Sequence, residues 1–160
     1  MMNKFILLPL CICSVLPGIP FLSAFAQEAA VEEQVTEITS DKLFFDYEEK
    51  KAIFTGNVVV TDPDLQLTAD KLVVTMTPED EIDRLDAEGN VEIKMEGLHS
   101  RSGKAVYTLG DSKVVLTDGP QVSREGSVMT AEEITYWRLE NRMEAFPRAR
   151  VIMFREPGSE

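Results

Sequence analysis

A segment of about thirty residues recurs four times along this chain, and this repetition is the feature that most limits the possible folds. Each copy contains a strand-like run, a turn and a second strand-like run. The copies begin near Ser40, Ala69, Ser102 and Ala131. Repeats of this kind bury their apolar faces only against neighbouring repeats. The period therefore predicts an all-β fold, a twisted, solenoid-like stack of short antiparallel strands with two open ends.

Apolar residues occupy alternate positions within each run, which is the two-residue period of a half-buried strand. These positions should share one face and line the interior, and in the fourth repeat the same alternation continues to Arg138. The interior has two interpretations, a dry core between two faces of the stack or a trough that admits an acyl chain. The predicted lining residues are Leu43, Phe45, Tyr47, Phe54, Val58, Val60, Leu65, Leu67, Leu72, Val74, Met76, Val91, Ile93, Tyr107, Leu109, Leu116, Ile134 and Tyr136.

One stretch, residues 131–146, gives conflicting signals. It is rich in Glu, Arg, Leu and Met, so helix propensity alone favours a helix there. The register of the repeats instead predicts a strand, a turn and a second strand. Turn-forming residues separate the other runs, for example at residues 62–64, at residues 77–80 and at Gly126.

The N-terminus resembles an export signal. Lys4 is the only charged residue before Glu28 and precedes an apolar run. Small residues at Ala24 and Ala26 then form a signal-peptidase site, so we expect cleavage after Ala26 and a periplasmic mature protein. An uncleaved N-terminal anchor is the alternative, although prolines make the run a poor membrane-spanning helix. The predicted organisation is a signal peptide at 1–26, a flexible segment at 27–37, a β domain at 38–154 and a frayed end at 155–160.

Composition excludes several classes of protein. Both cysteines, Cys11 and Cys13, lie in the predicted signal peptide, so the mature chain must fold without disulfides. The formal net charge of −12 becomes still more negative when Lys4 is removed. An acidic surface repels phosphate backbones, which argues against nucleic-acid binding.

The sequence also predicts no catalysis and no cofactor. His99 is the only histidine, and a triad would have to pair it with Ser100 or Ser102. Adjacent strand residues point to opposite faces, and no nucleophile elbow surrounds them. The single histidine, the absence of a calcium-loop pattern and the lack of nucleotide-binding glycine motifs leave no metal or cofactor site. We therefore expect a protein that is not an enzyme.

Particular motifs resemble a known family. FTGNVVVT at residues 54–61 and LQLTADKLVVT at residues 65–75 are similar to the LptA/OstA family of lipopolysaccharide-transport bridge proteins. ITSD at residues 38–41, AVY at 105–107 and ITY at 134–136 keep that family's order and spacing. The third and fourth repeats depart from it, because Pro120 and the residues after Pro147 replace the Gly-Asn-Val pattern.

This resemblance implies an OstA-like β-jellyroll that is open at one side and at both ends. It implies that the ligand is lipopolysaccharide or a related glycolipid, with acyl chains in the apolar interior. The family's lining positions correspond here to Val91, Tyr107 and Leu109. Because the protein is acidic, we expect affinity to come from acyl burial, at about 0.8 kcal/mol per methylene, rather than from headgroup charge.

The implied partners are an inner-membrane adaptor and an outer-membrane inserter, joined by a head-to-tail homo-oligomer of this protein. The protein would then take part in outer-membrane assembly. Two alternatives keep the same fold. One is a structural β-solenoid assembly module with a dry core, and the other is an anchored LptC-like adaptor that retains its N-terminal segment.

Overall fold

The computed structural model describes residues 35–95 and 97–154. The predicted signal peptide at 1–26, the frayed end at 155–160 and most of the segment at 27–37 lie outside the described residues and remain predictions. Among the residues described, no helix is long and apolar enough to cross a membrane.

The described chain is a succession of β-strands, as the repeat period predicts. Residues 131–146 form a strand, a turn and a strand, so the repeat register decides this stretch against helix propensity. Four central strands have 11 to 14 residues and are longer than the alternation indicates. The strands are β1 (Glu37–Thr39), β2 (Lys42–Asp46), β3 (Lys51–Asp62), β4 (Leu65–Met76), β5 (Ile82–Met95), β6 (Leu98–Thr108), β7 (Lys113–Thr117), β8 (Gln121–Arg124), β9 (Ser127–Thr130), β10 (Glu133–Trp137), β11 (Arg142–Phe146) and β12 (Arg150–Met153).

All strand pairs are antiparallel, and the sheet divides at both ends of the stack. Strands β1 and β2 both pair with β3, while β7 and β8 both pair with β6. Beyond β6, β10 and β11 continue from β7, and β9 and β12 continue from β8. Half-sheet I contains β2, β7, β10 and β11; half-sheet II contains β1, β8, β9 and β12. Each of the strands β3 to β6 belongs to half-sheet I over one part of its length and to half-sheet II over the other part.

A repeated bulge bends each shared strand between the half-sheets. The pairing of β3 with β4 shifts register between Thr55 and Val58, at Gly56 and Asn57. Both residues have positive φ, 80° and 47°, which glycine and asparagine tolerate best. The Asn57 amide donates to Asp41 Oδ2 over 2.8 Å. A bulge bends a strand without ending it, which explains why these strands continue through the Gly-Asn pair.

The same bend between the half-sheets, which we call the corner, recurs one repeat later. It takes a different form in the third repeat. Asn90 donates to Asp70 Oδ2 over 2.9 Å, as Asn57 does to Asp41. In the third repeat Gly103 N–H donates to the Asp118 carbonyl over 2.9 Å, and β7 ends before β8 begins. The departure from the family pattern at Pro120 therefore coincides with the division of one long strand into two.

The core lies between the two half-sheets, whose apolar faces oppose each other. Each half-sheet contributes rows of side chains that continue from strand to strand through the ladder register. The buried hydrophobic residues are Ala52, Val58, Val60, Leu67, Ala69, Leu72, Val74, Ala87, Val91, Ile93, Leu98, Ala105, Val114, Leu116, Val122 and Ile134. Burial of these faces is the main stabilising contribution in a described domain that contains no cysteine.

Candidate functional site: an apolar interior with a C-terminal mouth

The predicted lining residues divide into three groups by exposure. Leu43 and Tyr47 share the inward face but are 55% and 80% exposed, because they lie on or beside β2 at the open N-terminal end. Fully buried are Val58, Val60, Leu67, Leu72, Val74, Val91, Ile93, Leu116 and Ile134. Half-buried are Phe45, Phe54, Leu65, Met76, Tyr107, Leu109 and Tyr136. The alternation thus identifies the inward face, and the position in the stack sets how far each residue is buried.

The interior is closed in the central repeats. A cavity between the half-sheets there holds only about 20 Å³, close to the minimum that one water molecule needs. It is lined by Leu65, Leu67, Leu85, Ile93, Met95, Tyr107, Val114 and Arg138. This part of the molecule matches the dry-core interpretation.

The interior opens between the turns that follow β8 and β10, and the turns after β3 and β5 also line the opening. We call this opening the C-terminal mouth. Its outer part has a volume of about 730 Å³ and is lined by Asp64, Met95, Gly97, Leu98, Ser112, Arg124, Glu125, Tyr136, Arg138, Leu139 and Asn141. A second part, of about 390 Å³, lies between β8, β9, β11 and β12 and is lined by Val122, Arg124, Glu125, Ser127, Met129, Met143, Val151 and Met153. Both volumes fall within the range of about 300–1,000 Å³ that is typical of small-molecule sites.

Sequence reasoning missed the residues of this mouth. Met129 pairs with Val122 and Val151, so all three share the inward face of half-sheet II. Met143 occupies the equivalent face of half-sheet I, opposite Tyr136. The alternation of inward and outward positions could have identified these residues. The repeat pattern, however, is weakest in the C-terminal part of the sequence. Methionine side chains are flexible and adapt to irregular ligands.

Two separate hydrogen bonds lie at the mouth. Arg138 Nη1 donates to Tyr107 Oη over 3.1 Å, and its guanidinium lies 5.7 Å from the ring centroid. Arg124, from half-sheet II, donates through Nη1 to Asn141 Oδ1 over 2.9 Å. Asn141 belongs to the turn between β10 and β11, so this bond connects the two half-sheets. The rim of the mouth is polar although its floor is apolar.

The outer face of the stack carries ion pairs, beside an outward apolar row that includes Ile53, Val73, Val106 and Val115. Lys104 donates to Glu88 over 3.0 Å, and this hydrogen bond lowers the pKa of the Glu88 carboxyl. Glu92 contacts His99 over 2.6 Å and Arg101 over 3.0 Å, and these hydrogen bonds lower the pKa of Glu92. These exposed pairs keep one face of each strand in water and fix which face turns inward.

The residues that might have formed a catalytic triad lie apart. His99 contacts Glu92 on the outer face, while Ser100 and Ser102 are buried on the inner face. A serine on one face of a strand cannot be activated by a histidine on the other. No triad forms from these residues.

Both ends of the stack expose apolar side chains. At the N-terminal end, Leu43, Phe44 and Tyr47 are at least half exposed. At the C-terminal end the exposed residues are Phe146, Val151, Ile152, Met153 and Phe154. Within the described residues, β1, β2, β11 and β12 each pair on one side only, so their backbones present edges suited to strand addition.

Fold and site together define an unclosed antiparallel β-jellyroll whose interior is apolar and whose mouth has a polar rim. The family described as "LptA/(LptD N-terminal domain) LPS transport protein" matches residues 37–142. The chain belongs to this family, which confirms the resemblance found in the repeats.

Individual relatives agree with this assignment. The lipopolysaccharide export system protein LptA of Escherichia coli strain K12 is 28% identical over 132 residues, covering 78% of this chain and 71% of that protein. LptA of Shigella flexneri matches to the same extent. The crystal structure of LptH, the LptA homologous periplasmic component of the lipopolysaccharide transport device from Pseudomonas aeruginosa, has a TM-score of 0.68 at 21% identity. It covers 78% of this chain and 96% of that one. The predicted all-β jellyroll is thereby confirmed.

Proposed function

We propose that this protein binds lipopolysaccharide in the periplasm and transports it by shielding the acyl chains between its half-sheets. The observation that carries the proposal is the apolar interior that opens at the C-terminal mouth. Membership of a lipopolysaccharide-transport family supports it, as do relatives named for lipopolysaccharide export. The action is binding and release, without catalysis or a cofactor.

Acyl burial supplies the affinity in this proposal. Each methylene removed from water contributes about 0.8 kcal/mol, so a partly inserted chain contributes several kcal/mol. Because the central space is about 20 Å³, a chain enters at the mouth and must displace side chains to go deeper. Tyr107 and Arg138 lie where the mouth meets the closed interior and would move first.

Photo-crosslinking at matched positions tests the proposal. A photoreactive side chain at Met129, in the mouth, should label bound lipopolysaccharide, and one at Tyr107 should label it if chains reach the central repeats. The controls are Val128 and Thr108, the adjacent outward positions on β9 and β6. Equal labelling of inward and outward positions would contradict an interior path.

The closed central interior favours a second candidate, a structural assembly module with a dry core. Such a module has no lipid path, so none of the inward positions should be labelled above their outward controls. Labelling at Met129 and Tyr107 would exclude the module. Labelling at Met129 alone would restrict the lipid to the mouth.

We further propose that the mature protein begins after Ala26 and acts as a bridge between the inner-membrane adaptor and the outer-membrane inserter. The anchored adaptor alternative keeps Met1, so N-terminal sequencing of the exported protein distinguishes the two. The relative described as a periplasmic component of a transport device supports the periplasmic assignment.

Head-to-tail assembly through the stack ends completes this proposal. The N-terminal edge of β1 and β2 can pair with the C-terminal edge of β11 and β12, and unlike ends that pair do not close into a dimer. Light scattering over a dilution series should therefore show particles that grow with concentration. Deletion of residues 151–160, which removes most of β12, should reduce this growth. Strictly monomeric protein at high concentration would contradict the bridge.

A further inference from the structure

Two arginine side chains face the inside of the mouth from opposite walls. Arg124 lies two residues after buried Val122 on β8, so it shares the inward face, where it is paired with Leu98 of β6. Arg138 lies two residues after Tyr136 and reaches Tyr107 with its guanidinium. Both line the outer part of the mouth, the cavity of about 730 Å³. The Arg124 side chain is 39% exposed, so the pair lies at the solvated edge of the inward face, where a charged group of a ligand can reach it.

Carboxylates compensate this pair only loosely. Within the described residues, Arg138 forms no salt bridge with a carboxylate, and its polar partner is the Tyr107 hydroxyl. Arg124 hydrogen-bonds the neutral Asn141 amide, and its Nε lies 3.7 Å from Glu125, whose side chain is 80% exposed. The carboxylates lining this part of the mouth are Glu125 and Asp64.

The rest of the described chain uses its cations differently. On the outer face Lys104 pairs with Glu88, Arg84 with Asp86 and Arg101 with Glu92. The chain has 28 acidic residues against 16 basic ones, so carboxylates to pair with are plentiful. Inward arginines without a close, buried carboxylate are therefore exceptional in this molecule.

We infer that Arg124 and Arg138 form a site for a phosphate group that belongs to the same amphiphile whose acyl chains enter the mouth. Planar guanidinium groups bind phosphate oxygens through paired, charge-assisted hydrogen bonds. The apolar floor of the mouth comprises Met95 and Leu98 in this cavity and Val122, Met129 and Met143 in the adjoining one. Adjacent phosphate and acyl sites would fix the orientation of a phosphorylated glycolipid, with its headgroup at the rim. This inference rests on the proposed function and names the group of the ligand that the mouth recognises.

A phosphate site in the mouth changes the expectation, drawn from the net charge, that headgroup charge adds nothing to the affinity. An acidic protein as a whole repels an anionic lipid, but the nearest charges dominate at contact distance, since exposed charges are screened within about 10 Å at 0.1 M salt. Local recognition by the arginine pair and overall repulsion can therefore coexist. Together they would favour a ligand that enters through the mouth over one that lies on the outer face.

Binding of two matched lipids tests the site. The probes are lipid A, a phosphorylated and acylated disaccharide, and the same lipid after removal of its phosphates, each measured by displacement of a hydrophobic fluorescent dye. Replacement of both arginines, Arg124→Gln with Arg138→Gln, should weaken binding of the phosphorylated lipid by about tenfold or more. Binding of the dephosphorylated lipid should stay within about twofold, because the apolar floor is intact.

Two further variants show whether a weaker affinity results from the loss of any positive charge or from the loss of these two guanidinium groups. Arg142→Gln removes one positive charge from an outward position stacked on Trp137 and should leave both affinities unchanged. The double Arg→Lys variant keeps the charge without the planar fork and should fall between wild type and the double Gln variant. Unfolding midpoints confirm that each variant folds.

The results of these binding measurements distinguish failure of the phosphate site from failure of the proposed function. Equal losses for both lipids, or no loss for either, would overturn the phosphate site while leaving lipid transport intact. Displacement of lipid A by millimolar inorganic phosphate to the same extent in wild type and in the double Gln variant would also overturn it, since the phosphate would then not compete at the arginine pair. If the wild-type protein bound neither lipid, the proposed function itself would fail, and the headgroup site with it.

Discussion

The central strands and the C-terminal strands belong to one sheet but enclose different interiors. In β3 to β6, one strand crosses the corner and contributes to both half-sheets, and the space between them is about 20 Å³. Beyond β6 the half-sheets continue on separate strands, and the mouth has about 730 Å³. The larger cavity lies where the half-sheets run on separate strands, and turns of the central strands at Asp64 and Gly97 also line it. The same repeat therefore forms two different sections. We call β3 to β6, with the closed interior, the sealed section, and the strands beyond β6 the open section.

The residues at the corner explain the change. Gly56 and Gly89 have positive φ and lie against Asp41, between β1 and β2, and against Asp70 of β4, and here the bulge bends a continuous strand. In the third repeat Pro120 occupies the position after the corner and is fully buried. Proline has no N–H to donate to the ladder, which favours a strand boundary there.

A cavity mutation in each section should give the largest difference in stability between the two. Leu72 is completely buried in the sealed section, so Leu72→Ala should lower the free energy of unfolding by about 2–5 kcal/mol. Met129 is half-buried in the mouth, where Met129→Ala should cost only about 1 kcal/mol. Urea denaturation measures both. Equal losses would show that the mouth is packed as tightly as the central repeats.

Glycine substitutions test the corner itself, with a smaller expected effect. Gly89 has a φ of 77°, and an added Cβ would lie 2.4 Å from Asp70 Oδ2. Gly89→Ala should therefore cost about 1–3 kcal/mol. Gly126, in the turn between β8 and β9, has a similar φ of 73°, but its nearest contact would be 3.6 Å away. Gly126→Ala should cost about 1 kcal/mol, from backbone strain alone.

These two glycine variants separate backbone strain from crowding, because both positions share the left-handed conformation. The same denaturation curves report the difference. If Gly126→Ala were as costly as Gly89→Ala, the aspartate contact would not be what holds the corner, and the continuity of the strands would need another explanation.

Much of the sealed section was predictable from the sequence. Alternation identified the inward face because strand side chains have a period of two, and the buried residues from Val58 to Ile134 lie where it placed them. The long central strands were not predicted. The repeat predicts short strands, and only the ladder shows that Gly-Asn forms a bulge within a longer, continuing strand.

The mouth was much less predictable. Arg138 was placed inward by its spacing but has no apolar side chain, so it did not enter the predicted lining. Arg124 and Met143 lie where the repeat is irregular, and their importance depends on the distance between two walls that are far apart in sequence. Such a distance follows from tertiary packing, which a local pattern does not encode. Whether any lining residue contacts lipid stays a prediction.

The smallest effect concerns an ion pair on the outer face of the sealed section. Asp86 on β5 accepts two hydrogen bonds from Arg84, of 2.7 Å and 2.8 Å. These bonds, and then the positive charge of Arg84, lower the pKa of Asp86 below its ordinary value. A carboxyl whose pKa is lower in the folded state stabilises the fold above its unfolded pKa, about 4. That contribution is lost as the pH falls through the folded pKa.

Asp86→Asn should therefore cost at most about 1 kcal/mol at pH 7, since Arg84 is partly exposed, and the difference from wild type should shrink on acidification below about pH 4. The matched variant in the open section is Glu140→Gln, which removes a contact of 2.9 Å with Arg142 between two exposed side chains. It should change the free energy of unfolding less than Asp86→Asn does. Urea denaturation across this pH range checks both. A difference for Asp86→Asn that grew as the pH fell would have the wrong sign for a carboxylate stabilised by Arg84. The Arg84–Asp86 pair would then not stabilise the central repeats.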